Sequence, residues 1–246
     1  MFDGFEDFRK EEFPFEDRPA VAVFPKEKKP GAAPLLKCEY WNAFPAVEEE
    51  MLRRGHALLF IRNDDRWARP EDLSRKARFL RFASERFGLP ARSIPVGMSC
   101  GGQIAVKFAS DFPELVSVLY LDAPVMNYVS CPVGAGIGEE LQGGVKEFQD
   151  AWGMSLSELI SFRDMPMDRI GSLLEKRIPA ALVAGDSDRT VPFTENGIWL
   201  EKAYEKSDVP FYFELKKGCD HHPHGPADPG KLADFLEEFD DGEENT

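Results

Sequence analysis

The chain is poor in cysteine, with four residues in 246, and Cys38, Cys100, Cys131 and Cys219 stand far apart with no CxxC pair among them. That spacing excludes a disulfide framework and a paired-cysteine zinc site, so the thiols are read as reduced. Long apolar runs are also missing, and none approaches the ~18 residues of a membrane span. The opening MFDGFEDFRKEEFPFEDR carries charge every few positions and has no apolar stretch of a secretion signal, which makes a cytoplasmic location the expectation. Positive charge is scarce: 30 basic against 44 acidic residues leave a net charge of -14. Such a surface repels phosphate backbones and anionic lipid, so neither nucleic acid nor membrane is expected as a partner. There is no internal repeat, and the one low-complexity piece is the acidic end, where residues 240–246 are expected to fray.

What is present suits one large core. With 43% hydrophobic residues, the chain has the size and composition of a single α/β domain over residues 1–246. Short apolar runs of strand length occur at residues 21–24, 57–61, 94–96, 116–121, 180–184 and 210–214, rich in β-branched and aromatic side chains. Between them, residues 45–54, 71–87, 101–112, 194–204 and 229–239 place apolar residues at helical spacing. Strand and helix alternate, which predicts a mostly parallel central sheet flanked by helices. Residues 5–15 precede the alternation and read as a hairpin-like pair of outer strands broken at Pro14. Residues 123–178 are too long for a single crossover helix, and a helical lid inserted after the strand ending near Leu121 is expected there.

One turn carries chemistry. Gly97-Met98-Ser99-Cys100-Gly101 fits Gly-x-Ser-x-Gly between a predicted strand and a predicted helix. A sharp turn there exposes Ser99 Oγ, the flanking glycines remove Cβ atoms that would collide, and the helix N-terminus aims the Cys100 N–H at any oxyanion formed beside Ser99. A serine hydroxyl needs an imidazole to take its proton and a carboxylate to orient that imidazole. Two later loops supply both: GDSDRTVP, with Asp186 and Asp188, and KGCDHHPHG, with His221, His222 and His224.

The order Ser, Asp, His on this alternation resembles the α/β-hydrolase superfamily over nearly the whole chain, and the HHPHG ending is similar to that of its esterase and prolyl-oligopeptidase-like members. The resemblance implies the α/β-hydrolase fold, with Ser99 as nucleophile, Asp188 as the acid of G-x-x-D-x-x-V-P, and His221 as the base. Asp186 is the rival that would serve as a loop cap, and Asp122 occupies an alternative acid position used by some members. His222 and His224 remain rivals of His221. Many hydrolases carry a His-Gly pair after the first long strand, but this chain reads FPKEKKPGAAPLLKCEYWNAFP and offers the Tyr40 N–H as second oxyanion donor. Residues 34–36 could form a short strand that sets Tyr40 in place.

Loops at the C-terminal ends of the strands would line the pocket, and Trp41, Arg66, Trp67 and Tyr128 are the expected substrate contacts. Cys100 is read as a packing residue whose backbone acts, while Cys219, two positions from His221, could make the site sensitive to thiol reagents. His56 reads as a turn residue. A zinc site built from the histidine cluster is set aside because no second ligand set with motif spacing accompanies it. The expected activity is cleavage of a small-molecule carboxylic ester, acylated carbohydrates included, through an acyl-enzyme and without cofactor or metal. A prolyl-oligopeptidase-like peptidase and a non-catalytic binding module on the same scaffold are the alternatives.

Overall fold

A computed structural model describes residues 2–240. Eight strands form one sheet: β1 (Arg9–Phe15), β2 (Arg18–Phe24), β3 (Leu35–Lys37), β4 (Leu58–Ile61), β5 (Ile94–Met98), β6 (Leu119–Asp122), β7 (Ala180–Gly185) and β8 (Phe211–Lys216). Their spatial order is β1-β2-β4-β3-β5-β6-β7-β8. β1 and β2 are antiparallel to each other, β2 is antiparallel to β4, and the pairs from β4 through β8 are parallel.

Side chains alternate across this sheet, and helices cover both faces, which is why the strands read as continuous apolar runs rather than as every second residue. On one face, Ala20, Ala22, Leu36, Leu121 and Leu182 pack under α2 (Pro70–Phe87), α3 (Cys100–Asp111), α6 (Ile170–Glu175) and α7 (Gly197–Tyr204). On the other, Val21, Val23, Leu35, Val96 and Val183 pack under α1 (Ala46–Arg53) and α8 (Pro229–Glu238). Among the described residues, no helix is long and apolar enough to cross a membrane.

Four expectations are corrected. The outer hairpin joins β1 to β2, not two strands within residues 5–15, and β1 runs through Pro14, which faces Pro19 in the register. An edge strand tolerates the missing proline N–H. Within residues 123–178, α4 (Gly144–Trp152) and α5 (Leu156–Ser161) sit over the C-terminal end of the sheet, but α6 packs Ile170 and Leu173 into the main core beside Leu182 and Leu200. It is therefore the ordinary crossover helix between β6 and β7, and the insertion ends before it. At the acidic end, Asp240 is buried and its carboxylate accepts the Ala33 N–H at 3.1 and 3.2 Å. Residues 241–246 lie outside the described residues. His56, expected at a turn, is fully buried, with Nδ1 2.9 Å from the Ala33 carbonyl and Nε2 3.3 Å from Glu237 of α8.

Candidate active site

The elbow forms because β5 ends one residue before α3 begins. Ser99 sits between them with φ 53° and ψ −122°, a conformation that side-chain-bearing residues rarely adopt. Backbone bonds hold it there: Ser99 N–H donates to the Asp122 carbonyl at 2.9 Å, and the Ser99 carbonyl accepts from Gly102 at 2.9 Å and Val125 at 3.0 Å. Gly97 allows strand and helix to approach so closely, since a Cβ there would lie 2.6 Å from the Gly101 carbonyl oxygen and 2.7 Å from Ala105 Cβ. Gly97→Ala is expected to cost about 3 kcal/mol of stability. A urea midpoint equal to that of the parent protein would show that this packing has slack.

Two loops converge on the serine. His221 Nε2 lies 3.0 Å from Ser99 Oγ, and His221 Nδ1 lies 2.8 Å from Asp188 Oδ2. The other Asp188 oxygen accepts the N–H groups of Thr190 at 2.9 Å and Val191 at 2.7 Å, so the buried carboxylate is held from both sides. Asp220 ties the two loops together by accepting from the N–H groups of Arg189 and His221. Asp186 accepts from Gly218 N–H and Ser187 Oγ–H, which makes it the loop brace rather than the imidazole's partner.

Asp122 is also occupied elsewhere. Its carboxylate meets His224 Nδ1 at 2.8 Å and accepts from the Gly225 N–H and the Tyr120 hydroxyl. The histidine loop thus presents two buried imidazole–carboxylate pairs, His221–Asp188 and His224–Asp122, with the ring centroids of the histidines 4.7 Å apart. His222 is exposed on one side and stacks on Phe44, and the partial desolvation of its ring together with its two neighbouring imidazoles holds its pKa below the usual histidine value.

These groups open into a cavity of about 410 Å³, whose wall includes Tyr40, Phe44, Arg66, Cys131, Leu141 and Thr190. Of the four expected substrate contacts, only Arg66 reaches it. Trp41 points to the opposite side, packed edge-on against Phe2 and Phe5 with its indole N–H on the Asp3 carbonyl at 2.7 Å. The backbone turns at Tyr40, φ 53°, so consecutive aromatic side chains diverge. Trp67 and Tyr128 are fully buried around Phe148 beneath the insertion, where they anchor it instead of lining the cavity. Phe44, Cys131 and Leu141 escaped sequence reasoning because irregular segments carry no periodicity; Thr190 stands in the loop already singled out for Asp188, and His222 and His224 are the rivals of His221.

A larger, more open groove of about 750 Å³ lies next to the cavity and shares Arg66 with it. Glu39, Asn63, Asp64, Asp65 and Asp150 line it, Trp67 borders it as well, and neither Ser99 nor His221 does. Ser99 and His221 therefore open to the smaller space. Arg66 bridges the two by contacting the Tyr40 hydroxyl at 3.3 Å and Glu147 of α4 at 2.7 and 2.9 Å, an ion pair that clasps the insertion to the body.

Cys100 is buried, and burial pushes its thiol above the usual range. A buried, protonated thiol is a poor nucleophile, which leaves the half-buried Ser99, hydrogen-bonded to His221, as the candidate. Burial likewise raises Cys131. Cys219 is half-buried and does not line the cavity; its carbonyl accepts the Ser187 N–H at 3.0 Å.

No protein-family model matches the chain, and no curated protein does. Solved structures do. An acylaminoacyl peptidase of Pyrococcus horikoshii is similar with a TM-score of 0.71 and 14% identity, covering 97% of this chain and 43% of its own. A sugar hydrolase of Lactococcus lactis gives 0.64 at 15% identity, covering 94% of this chain and 98% of its own. A lipase/esterase of Lactobacillus plantarum gives 0.64 at 13% identity, with 94% and 97% covered. The fold they share with this chain is the α/β-hydrolase fold. Within it the chain is similar in extent to the small single-unit hydrolases, and it spans less than half the length of the peptidase.

Proposed function

We propose that this protein is a serine hydrolase that cleaves carboxylic esters through an acyl-enzyme. The observation that carries the proposal is the unbroken path from Ser99 Oγ through His221, 3.0 Å and 2.8 Å long, to a buried Asp188 beside an accessible cavity. Ser99 Oγ attacks the ester carbonyl carbon while His221 Nε2 takes its proton, and the carbonyl π electrons move onto oxygen. Asp188 keeps the Nδ1–H tautomer and stabilises the imidazolium. The oxyanion is met by the N–H of Cys100, a first-turn helix donor with no partner in its own helix. Tyr40 N–H is the proposed second donor. Collapse of the intermediate breaks the C–O bond, and His221 returns the proton to the departing alcohol. Water, activated by the same imidazole, then releases the acid and restores Ser99.

The cavity suits a small acyl group, with Phe44, Cys131 and Leu141 as its apolar side. A hydroxyl-rich alcohol would extend past Arg66 into the groove of carboxylates and Asn63, whose polar oxygens accept hydroxyl donors; an acylated carbohydrate fits that division. The likeness to the acylaminoacyl peptidase favours a second reading, cleavage of an acyl amide. Both readings predict that a fluorophosphonate probe labels Ser99 and no other residue, located by mass spectrometry after digestion. Turnover of acetylated sugars and short aryl esters at a kcat/KM well above that of acylaminoacyl anilides selects the esterase; the reverse ranking selects the peptidase. No label on Ser99 would refute both.

A further inference from the structure

The hydrolytic reaction proposed above uses one of three clustered imidazoles. His221, His222 and His224 each place a ring nitrogen within 4.8 Å of the others, and all three line the same cavity. Two of the three are held in a particular way. His221 Nδ1 faces the buried Asp188 at 2.8 Å, and His224 Nδ1 faces the buried Asp122 at 2.8 Å. A carboxylate on Nδ1 fixes the tautomer with hydrogen on that nitrogen, so the lone pair of each ring sits on Nε2. This is the outer-shell arrangement that orients a histidine as a metal ligand and raises its basicity. The third ring, His222, is exposed and, among the described residues, held by ring contacts alone, stacked on Phe44 and edge-on to the other two.

The Asp122–His224 pair has no task in the hydrolytic path, although it takes a buried aspartate at the end of β6 and a buried imidazole. We infer that the three histidines form an inhibitory site for a borderline-soft divalent transition ion, of which Zn²⁺ is the type. Three imidazoles are a ligand set for such an ion, with a fourth position left to water. Zinc–nitrogen bonds of about 2.0–2.1 Å bring tetrahedral nitrogens to about 3.4 Å of each other. The ring nitrogens start within 4.8 Å of one another, and the exposed His222 ring has the most freedom to close the remaining distance. Inhibition follows from electron counting: His221 Nε2 has one lone pair, and it either accepts the proton of Ser99 or binds the metal. Occupancy and serine activation therefore exclude each other. This half of the inference rests on the serine hydrolase reading; binding does not.

Tag-free, EDTA-treated protein is titrated with ZnCl2 by calorimetry, and with CoCl2 followed by its visible absorption. One equivalent is expected to bind, with the cobalt spectrum of a four-coordinate nitrogen-rich site. Exposed His222→Ala should weaken binding by at least about tenfold, and Asp122→Asn, which removes an outer-shell partner, by about 10- to 100-fold. Zn²⁺ should abolish fluorophosphonate labelling of Ser99, and EDTA should restore it. Equal Zn²⁺ affinity in the parent protein and His222→Ala, or no saturable binding at all, overturns the site, as does undiminished labelling at saturating Zn²⁺. If Ser99 takes no label even without metal, the hydrolase reading fails, and the calorimetric and cobalt arms still decide whether the site exists.

Discussion

Ser99→Ala is expected to lower kcat for a short aryl ester by about a millionfold, the scale on which loss of the serine disables an enzyme of this chemistry. Neither thiol of the cavity wall replaces it: Cys100 and Cys131 are both buried, and burial pushes both thiols up. KM should change little, because the substituted atom forms a bond in the reaction rather than holding the ground state. The fold should survive. Among the described residues the Oγ has one hydrogen-bond partner, His221, and the backbone bonds that secure the elbow belong to the Ser99 N–H and carbonyl, which alanine retains. Alanine also bears the same positive φ that serine does. The decisive comparison is therefore steady-state turnover beside a thermal melt: a folded variant with undiminished turnover would remove Ser99 from the mechanism.

The second large effect separates the two carboxylates. Asp188→Asn is expected to reduce kcat by about ten thousandfold, since an amide in place of the carboxylate favours the wrong imidazole tautomer while leaving the packing in place. The Thr190 and Val191 N–H groups can still bond the amide oxygen, so the loop has no reason to open. Asp122→Asn should behave oppositely. It removes the charge facing His224, and its single amide oxygen cannot accept from the His224 ring N–H, the Gly225 N–H and the Tyr120 hydroxyl together, at a cost of about 3 kcal/mol in stability. Its turnover should fall far less than that of Asp188→Asn, because His221 and Asp188 remain paired. If Asp122→Asn abolished turnover in a folded protein while Asp188→Asn did not, the acid would have been assigned to the wrong strand.

The three catalytic candidates were legible because each stands on a short motif with its own local cause. GMSCG lies where strand must turn directly to helix, and GDSDRTVP and GCDHHPHG each follow a strand that the apolar runs identify. The structure brings Ser99 and Asp188 each within hydrogen-bond reach of His221. Which histidine would face the serine was not decided by spacing. Three imidazoles lie within four positions, and the choice between His221 and His224 falls to the carboxylate behind each ring, Asp188 for one and Asp122, 102 residues away, for the other.

The pocket was read less well, and for one reason. Trp41, Trp67 and Tyr128 stand in loops at the correct end of the sheet, but a loop's position says nothing about the direction of its side chains. The positive φ at Tyr40 sends Trp41 to the opposite packing layer, and Phe148 from the insertion buries Trp67 and Tyr128. The extent of the insertion had a similar fate, since α6 carries helical periodicity whether it covers the sheet or caps the site, and only its contact with α3 and α7 distinguishes them.

By itself, then, the sequence determined the strand–helix alternation, the strained turn at Ser99 and the chemical types available in the two later loops, all set by interactions between near neighbours in the chain. Only the tertiary structure decided which aromatic residues meet the cavity, which carboxylate backs which imidazole, and that His222 and His224 join His221 on one wall. Those outcomes depend on side-chain directions and on contacts between residues distant in the chain, and neither is encoded in local periodicity.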